Sequence, residues 1–139
     1  MNNEQHKKVL VVDDEPSLLD LMRNFLTIDQ HLYELLTTNN AQEAIEILKR
    51  EDIALVVSDI NMPGISGLDL LAIIRTRYPH IKIILITGYN TPKIQEEVDK
   101  SGSLYFLEKP FKFSHLRELI YQEITEKREG FGGTSERAD

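Results

Sequence analysis

Five short apolar runs recur along the chain, and each is followed by a stretch whose large apolar residues have helical spacing. Runs of four to six residues with little polar alternation are typical of strands buried on both faces of a parallel sheet. The pattern therefore predicts five strands that alternate with five helices. The predicted strands cover residues 9–12, 33–37, 53–58, 81–86 and 104–107.

Residues that favour helix starts precede several of the helical stretches. Asn39 or Asn40 is suited to cap the second helix, and Thr91 stands directly before a proline at the start of the fourth. The fourth helix carries only two large apolar residues, Ile94 and Val98. Because it has so little to bury, we expect it to be among the least firmly held elements.

Regular alternation of strands and helices favours an open parallel sheet with helices on both faces. Right-handed crossovers leave few layouts, and we expect a flavodoxin-like (βα)₅ doubly wound fold with strand order 2-1-3-4-5. The second strand is the most polar of the five, as an edge strand would be. We assign residues 7–126 to one domain, and residues 127–139, which have turn residues and no periodicity, to a flexible tail or linker remnant.

The charge and the amino-acid composition of the chain exclude several classes of protein. The chain has 139 residues, of which 41% are hydrophobic, and a net charge of −7 without a dense cluster of Lys or Arg. An acidic surface repels a phosphate backbone, so we expect no direct contact with nucleic acid. The absence of cysteine excludes disulfides and thiolate metal sites. We find no apolar segment of membrane length and no signal peptide, and we expect a cytoplasmic protein that does not bind membranes.

Polar residues end four of the apolar runs. Asp59 follows the third strand, the pair Asp13-Asp14 follows the first, and Thr87 and Lys109 follow the fourth and fifth. Taken singly, each is as readily explained as a turn, cap or solvated loop residue. In an open parallel sheet, however, residues beyond the carboxyl ends of neighbouring strands meet at one edge. Their joint position indicates a functional site.

The three acids constrain the chemistry of that site. Carboxylates about 5 Å apart repel by about 3 kcal/mol per pair at an effective dielectric constant near 20. Either one acid is protonated or a cation lies among them. An all-oxygen set of ligands favours Mg²⁺ or Mn²⁺, held by Asp13, Asp14 and Asp59, with the backbone carbonyl of Asn61 as a further candidate ligand.

A carboxylate beside a divalent cation, an ammonium group and a hydroxyl group is suited to in-line phosphoryl transfer. Asp59 is then the phosphoacceptor. Lys109 and Thr87 neutralise or bind the oxygens of the transferred group. The backbone N–H of Gly88, which has no side chain in the way, is a further candidate donor to the phosphoryl group.

Four motifs, VVDDEP, SDINMPG, ITG and EKPF, resemble those of the receiver domains of two-component response regulators. The resemblance covers roughly residues 7–125 and places each motif at the end of a predicted strand. It implies Mg²⁺ held by Asp13 or Asp14 with Asp59. It also implies a phosphoryl group received from the histidine of a sensor histidine kinase or of a histidine phosphotransfer domain, in a switch domain that is not an enzyme in the ordinary sense.

The resemblance further implies a conformational switch. Thr87 moves toward the phosphoryl group, and the aromatic residue three positions before the lysine, Phe106, turns inward. The changed surface, formed by the fourth helix, fifth strand and fifth helix, signals to a downstream effector. Tyr is common in the family where Phe106 stands here. Asn61 and Tyr89 lie at the mouth of the site as tuning positions, and the bulk of Tyr89 predicts a long-lived phosphorylated state.

Two other functions share part of this chemistry or fold but fit the sequence less well. A metal-dependent phosphohydrolase also forms an aspartyl phosphate, but it usually needs a second acid two residues after the nucleophile, where this chain has Asn61. A flavin- or nucleotide-binding module on the same fold needs a phosphate-binding loop after the first strand. The acids at 13–15 would repel a phosphate group from that position.

Overall fold

The chain alternates strands and helices along its length, and the computed structural model describes residues 7–103 and 105–126. The five strands are β1 (Lys7–Val12), β2 (Tyr33–Thr38), β3 (Ile53–Asp59), β4 (Lys82–Thr87) and β5 (Tyr105–Glu108). The five α-helices are α1 (Pro16–Leu26), α2 (Ala41–Arg50), α3 (Gly67–Arg77), α4 (Pro92–Ser101) and α5 (Phe113–Thr125), and a short 3₁₀ helix (Thr27–Asp29) follows α1.

All five strands form one parallel sheet in the order β2-β1-β3-β4-β5, which confirms the predicted flavodoxin-like topology and the edge position of β2. The predicted strands are each displaced by one or two residues at one or both ends. The predicted start of the fifth strand, Leu104, and the tail predicted at 127–139 lie outside the described residues.

The register brings the carboxyl ends of the inner strands together. Val12 pairs with Ser58, so the acids after β1 lie beside Asp59 at the end of β3. Asp59 in turn lies opposite Ile86, one residue before Thr87. Strand register alone therefore gathers the polar residues at one edge of the sheet.

Side chains of the inner strands alternate between two buried layers. Leu10 and Val56 face one layer, which α2 and α3 cover together with two residues of α4. Val9 and Leu55 face the other layer, which α1 and α5 cover. Burial on both faces explains why these strands are continuous apolar runs rather than alternating ones.

Helix starts follow the predicted capping chemistry. Asn40, rather than Asn39, caps α2: its Oδ1 accepts the backbone N–H of Glu43 at 2.7 Å. Ser66 forms a reciprocal capping box with Asp69 at the start of α3. The Thr91 hydroxyl caps α4 as predicted. Each cap satisfies a backbone N–H that has no partner within its own helix.

Helices α4 and α5 are held very differently. Val98 is the buried residue of α4, whereas α5 buries six residues along its length. Beyond this apolar contact, Arg117 of α5 forms two hydrogen bonds with the carboxylate of Asp29, at 2.7 and 2.9 Å. At the carboxyl end of α4, the Arg75 guanidinium of α3 donates to the Ser101 and Gly102 carbonyl oxygens.

Among the described helices, none combines the length and the apolar character that crossing a lipid bilayer requires; the longest, α5, has 13 residues.

Candidate functional site

Asp59 is the last residue of β3, and its side chain lies in a recess where only 3% of the residue is exposed. Its position depends on a close approach by the start of α3. A Cβ atom on Gly67 would lie 2.2 Å from the Asp59 carbonyl oxygen, so a larger residue there would displace the end of β3. Gly67 was not predicted as part of the site, because sequence spacing does not reveal that approach.

The carboxylates of Asp13 and Asp14 lie beside Asp59, as predicted. Asp13 is 1% exposed, and its Oδ1 accepts the backbone N–H of Glu15 at 2.9 Å. Its Oδ2 is buried and accepts no hydrogen bond of good geometry from the residues that the structure describes, although the Lys109 ammonium lies near it. Each of the three aspartates offers an oxygen, and these oxygens lie within 4.8 Å of one another.

Lys109 brings its ammonium group among these acids. Its Nζ lies 3.3 Å from Asp13 Oδ2 and 3.4 Å from Asp59 Oδ2. A third and shorter contact, 2.9 Å, joins Nζ to Oε1 of Glu15. Glu15 was not predicted as a site residue, although its place directly after the acid pair is a signal that could have identified it. The Lys109–Pro110 peptide bond is cis.

One ammonium group does not compensate for the two buried acids, Asp13 and Asp59. Burial raises the pKa of Asp59 to about 6 from the ordinary 3.8, Lys109 opposes the increase, and Asp13 adds to it. Burial likewise raises the pKa of Asp13. Burial alone would lower the pKa of Lys109, but Glu15, Asp13 and Asp59 outweigh it, so that pKa is raised. The lysine therefore stays charged while Asp13 and Asp59 resist ionisation.

Thr87 lies at the end of β4, fully buried, and its hydroxyl group is held by its surroundings. The hydroxyl is 2.6 Å from Asn61 Oδ1 and 3.0 Å from the Tyr89 carbonyl oxygen, two acceptors for its one proton. It also accepts the backbone N–H of Tyr89 at 3.0 Å. The backbone N–H of Asn61 donates to Asp59 Oδ1 at 3.3 Å. Asn61 therefore contacts both the acid and the hydroxyl group.

Three further predicted residues surround this centre. Phe106 is partly buried and packs against the layer covered by α2, α3 and α4. Tyr89 is 69% exposed at the mouth of the site. A Cβ on Gly88 would lie 3.5 Å from the Lys109 side chain, an ordinary van der Waals distance. The roles assigned to these residues from the sequence stay predictions.

The three aspartates have the chemistry that a hard divalent cation requires. Their oxygens are close together, one of them is buried without a hydrogen bond from the described residues, and Asp13 and Asp59 have raised pKa values. Mg²⁺ and Mn²⁺ prefer such oxygen ligands and would lower the pKa of each coordinated acid. The residues present therefore fit a divalent cation.

A doubly wound five-stranded α/β domain with an acidic cluster, a lysine and a threonine at the carboxyl end of its parallel sheet defines the class of this protein. The family model described as the response regulator receiver domain matches residues 9–121, and the chain belongs to this family. It is therefore a receiver domain of two-component response regulators, as the motifs predicted.

Individual relatives agree with this assignment. The response regulator protein FleR of Pseudomonas aeruginosa is 38% identical over 113 residues, which cover 81% of this chain and 24% of FleR. The transcriptional regulatory protein FixJ of Bradyrhizobium diazoefficiens is 31% identical over 116 residues, covering 84% of this chain and 56% of FixJ. The chain thus spans about a quarter of FleR and just over half of FixJ.

Solved structures show the same fold. A CheY-like receiver domain protein from Methanospirillum hungatei superposes with a TM-score of 0.81 at 27% identity, covering 88% of this chain and 96% of that one. A receiver domain protein from Clostridium thermocellum gives a TM-score of 0.77 at 32% identity, over 87% and 96% of the two chains. These comparisons give no support to the phosphohydrolase alternative.

Proposed function

We propose that Asp59 accepts a phosphoryl group from the phosphohistidine of a sensor histidine kinase or a histidine phosphotransfer domain, in a Mg²⁺-dependent reaction in the cytoplasm. The observation that carries the proposal is the geometry around this acid. A recessed carboxylate lies 3.4 Å from an ammonium group and shares its surroundings with two further acids. Such a group is poised to attack phosphorus and is not a surface turn residue.

In the proposed reaction, a carboxylate oxygen of Asp59 forms a bond to phosphorus as the phosphorus–nitrogen bond to the donor histidine breaks. The nitrogen keeps the electron pair of that bond. Lys109, 3.4 Å from Asp59, is placed to neutralise an oxygen of the transferred group. A divalent cation bound by Asp13, Asp14 and Asp59, with the Asn61 carbonyl as a candidate further ligand, would supply charge neutralisation for the remaining oxygens.

The same residues would also limit the reaction to one group per chain. No acid stands at Asn61 to protonate a leaving group, and the chain would catalyse only its own phosphorylation and its slow reversal by water. The exposed ring of Tyr89 stands at the mouth of the site, where it would restrict the approach of water.

The proposed output is a change in the surface formed by α4, β5 and α5, with Thr87 and Phe106 as the switch residues. Thr87 joins the site to the start of the β4–α4 connection, and Phe106 packs in the layer that includes Val98 of α4. Because α4 buries so little, a small change beneath it can move it. The downstream effector would bind this surface, and no direct contact with DNA is proposed for residues 7–126, the receiver unit.

Incubation with Mg²⁺ and acetyl phosphate tests the acceptor assignment. We expect the intact mass to increase by one phosphoryl group, and the adduct to be lost in Asp59→Asn. Asp52→Asn, which changes an exposed aspartate directly before the same strand, is the matched control and should be modified like the wild type. No adduct in the wild type, or an undiminished adduct in Asp59→Asn, would contradict the proposal. Release of many phosphates per chain would favour the phosphohydrolase.

A further inference from the structure

The hydroxyl group of Thr87 is already engaged before any phosphoryl group arrives. It has one proton to donate, and of its two acceptors Asn61 Oδ1, at 2.6 Å, is closer than the Tyr89 carbonyl oxygen, at 3.0 Å. The hydroxyl oxygen also accepts the backbone N–H of Tyr89. Because this fully buried hydroxyl already donates and accepts a hydrogen bond, it would have to break existing bonds to turn toward a new partner.

Asn61 contacts both groups that would change during the reaction. Its backbone N–H donates to Asp59 Oδ1, while its side-chain oxygen accepts from Thr87. A phosphoryl oxygen on Asp59 would need the same Thr87 proton that Asn61 now accepts. Asn61 Oδ1 and the phosphoryl oxygen would therefore compete for the Thr87 proton, and a hydrogen bond to one would be formed at the expense of the other.

We propose that Asn61 is a positioning residue that holds the Thr87 hydroxyl away from Asp59 and thereby opposes switching until a phosphoryl oxygen outcompetes it. This inference rests on the proposed function, since it assumes that Thr87 turns toward phosphorylated Asp59. It gives the Asn61 side chain a role that differs from metal binding by its carbonyl group and from control of water access. The role is exerted in the unphosphorylated chain.

The test begins in the absence of phosphodonor and metal. Asn61→Leu removes the acceptor at similar side-chain size, and Asn61→Asp keeps an oxygen acceptor that binds a hydroxyl more strongly. NMR signals of Thr87 and Tyr89 measure the switched fraction, with the beryllofluoride complex of the wild type as the switched reference. Loss of the hydrogen bond to Asn61 should raise the ratio of switched to unswitched chains by up to about fivefold in Asn61→Leu, because the more distant Tyr89 carbonyl oxygen stays as an acceptor. Asn61→Asp should leave that ratio unchanged or lower it.

A double-mutant cycle separates this role from a general loosening of the loop. In a Thr87→Val background, where the Tyr89 signals alone are followed, the effect of Asn61→Leu should disappear, because the proton that Asn61 accepts is absent. Asn90→Leu is the matched control. The Asn90 side chain donates to Gln95 and Glu108 in the same region but does not contact the Thr87 hydroxyl. Its effect should be equally large in the wild-type and Thr87→Val backgrounds.

The outcomes distinguish this inference from the proposed function. A shift in Asn61→Leu that persists in Thr87→Val, or equal shifts in Asn61→Leu and Asn61→Asp, would overturn the positioning role. Failure of the wild type to form an adduct at Asp59 would instead overturn the proposed function. In an unphosphorylated chain titrated with beryllofluoride in the presence of Mg²⁺, Asn61→Leu should also reach half-maximal switching at a lower beryllofluoride concentration, up to about fivefold below the wild type.

Discussion

At the amino-terminal end of the sheet, lysines and carboxylates pair one to one, whereas at the carboxyl end one lysine lies among three carboxylates. Lys8 lies 2.6 Å from Glu51, and Lys82 lies 3.2 Å from Glu123. At the opposite end, the Lys109 ammonium lies within 3.4 Å of oxygens from three acids. The two ends belong to the same five-stranded sheet, but acids and lysines are balanced at one end and acids are in excess at the other.

The pKa values follow this difference. At the amino-terminal end, the hydrogen bond with Lys8 lowers the pKa of Glu51, and the same bond raises the pKa of Lys8. Both groups are thus favoured in their charged forms. At the carboxyl end, burial raises the pKa values of Asp13 and Asp59. The ion pairs at the amino-terminal end contribute to stability. At the carboxyl end, the ionised aspartates are unfavourable in the folded chain and are available to bind a cation or to accept a phosphoryl group.

The largest effect is expected from removing charge at the carboxyl end. Asp59→Asn should raise the free energy of unfolding by up to about 3 kcal/mol at neutral pH without metal, because Asp59, with a pKa of about 6, ionises unfavourably in the fold. The folded chain holds this proton more tightly than the unfolded chain. Wild-type stability should therefore fall as pH rises from about 4 to above 6, and the gain in Asp59→Asn should grow over that window.

Urea denaturation across pH values measures this gain, with Asp52→Asn, an exposed aspartate directly before the same strand, as the control. Added Mg²⁺ should stabilise the wild type and narrow its difference from Asp59→Asn, since a cation that binds only the folded chain raises its stability. A pH-independent difference, or a loss of stability in Asp59→Asn, would contradict the idea that the carboxyl end carries unfavourable charge.

The second prediction concerns an ion pair at the amino-terminal end of the sheet, between Lys82 and Glu123. Lys82→Met should lower the free energy of unfolding by about 2 kcal/mol, because the Glu123 side chain is 0% exposed and its partner ammonium would be lost. The loss is smaller than for a fully buried pair, since Lys82 is 33% exposed. In the same urea experiment, the double variant Lys82→Met/Glu123→Gln should recover part of the loss. A double variant less stable than Lys82→Met alone would exclude an electrostatic cause.

Much of the carboxyl end was predictable because each residue there ends its own apolar run. Strand ends in a parallel sheet converge by topology, so the positions of Asp13, Asp59, Thr87 and Lys109 follow once the strand order is known. The N-caps were predictable for a similar reason, since capping depends on residues within one turn. These features are local or are fixed by the order of the strands.

Contacts between distant elements were not predictable. The buried Glu123 lies on a helix whose apolar stripe gave no sign of a charged member, and its partner Lys82 is 41 residues away in the sequence. The pair Asp29 and Arg117, 88 residues apart, depends equally on which helix neighbours which. The role of Gly67 likewise became visible only from its distance to the end of β3. Helical periodicity defines the buried face of a helix but not the atoms that this face meets.

The smallest effect is expected at the pair of the balanced end whose carboxylate reaches water. Lys8→Met should lower the melting temperature by less than Lys82→Met does, because the Glu51 side chain is 29% exposed and water can solvate it, whereas the Glu123 side chain is 0% exposed. The loss should shrink at high salt. The lowered pKa of Glu51 means that the pair contributes stability above the ordinary value of 4.5 and loses it as pH falls through the lowered folded-state value. Lys8→Met should therefore approach the wild type in acid.

Thermal unfolding at neutral and acid pH, each at low and high salt, distinguishes these expectations. Lys49→Met is the control, since Lys49 pairs with Glu46 at 3.6 Å on the exposed face of one helix and joins no two elements. If Lys8→Met were as damaging as Lys82→Met and insensitive to salt, the amino-terminal pairs would owe their effect to packing of the lysine stems. The contrast between the two ends would then be one of burial, with charge balance a secondary cause.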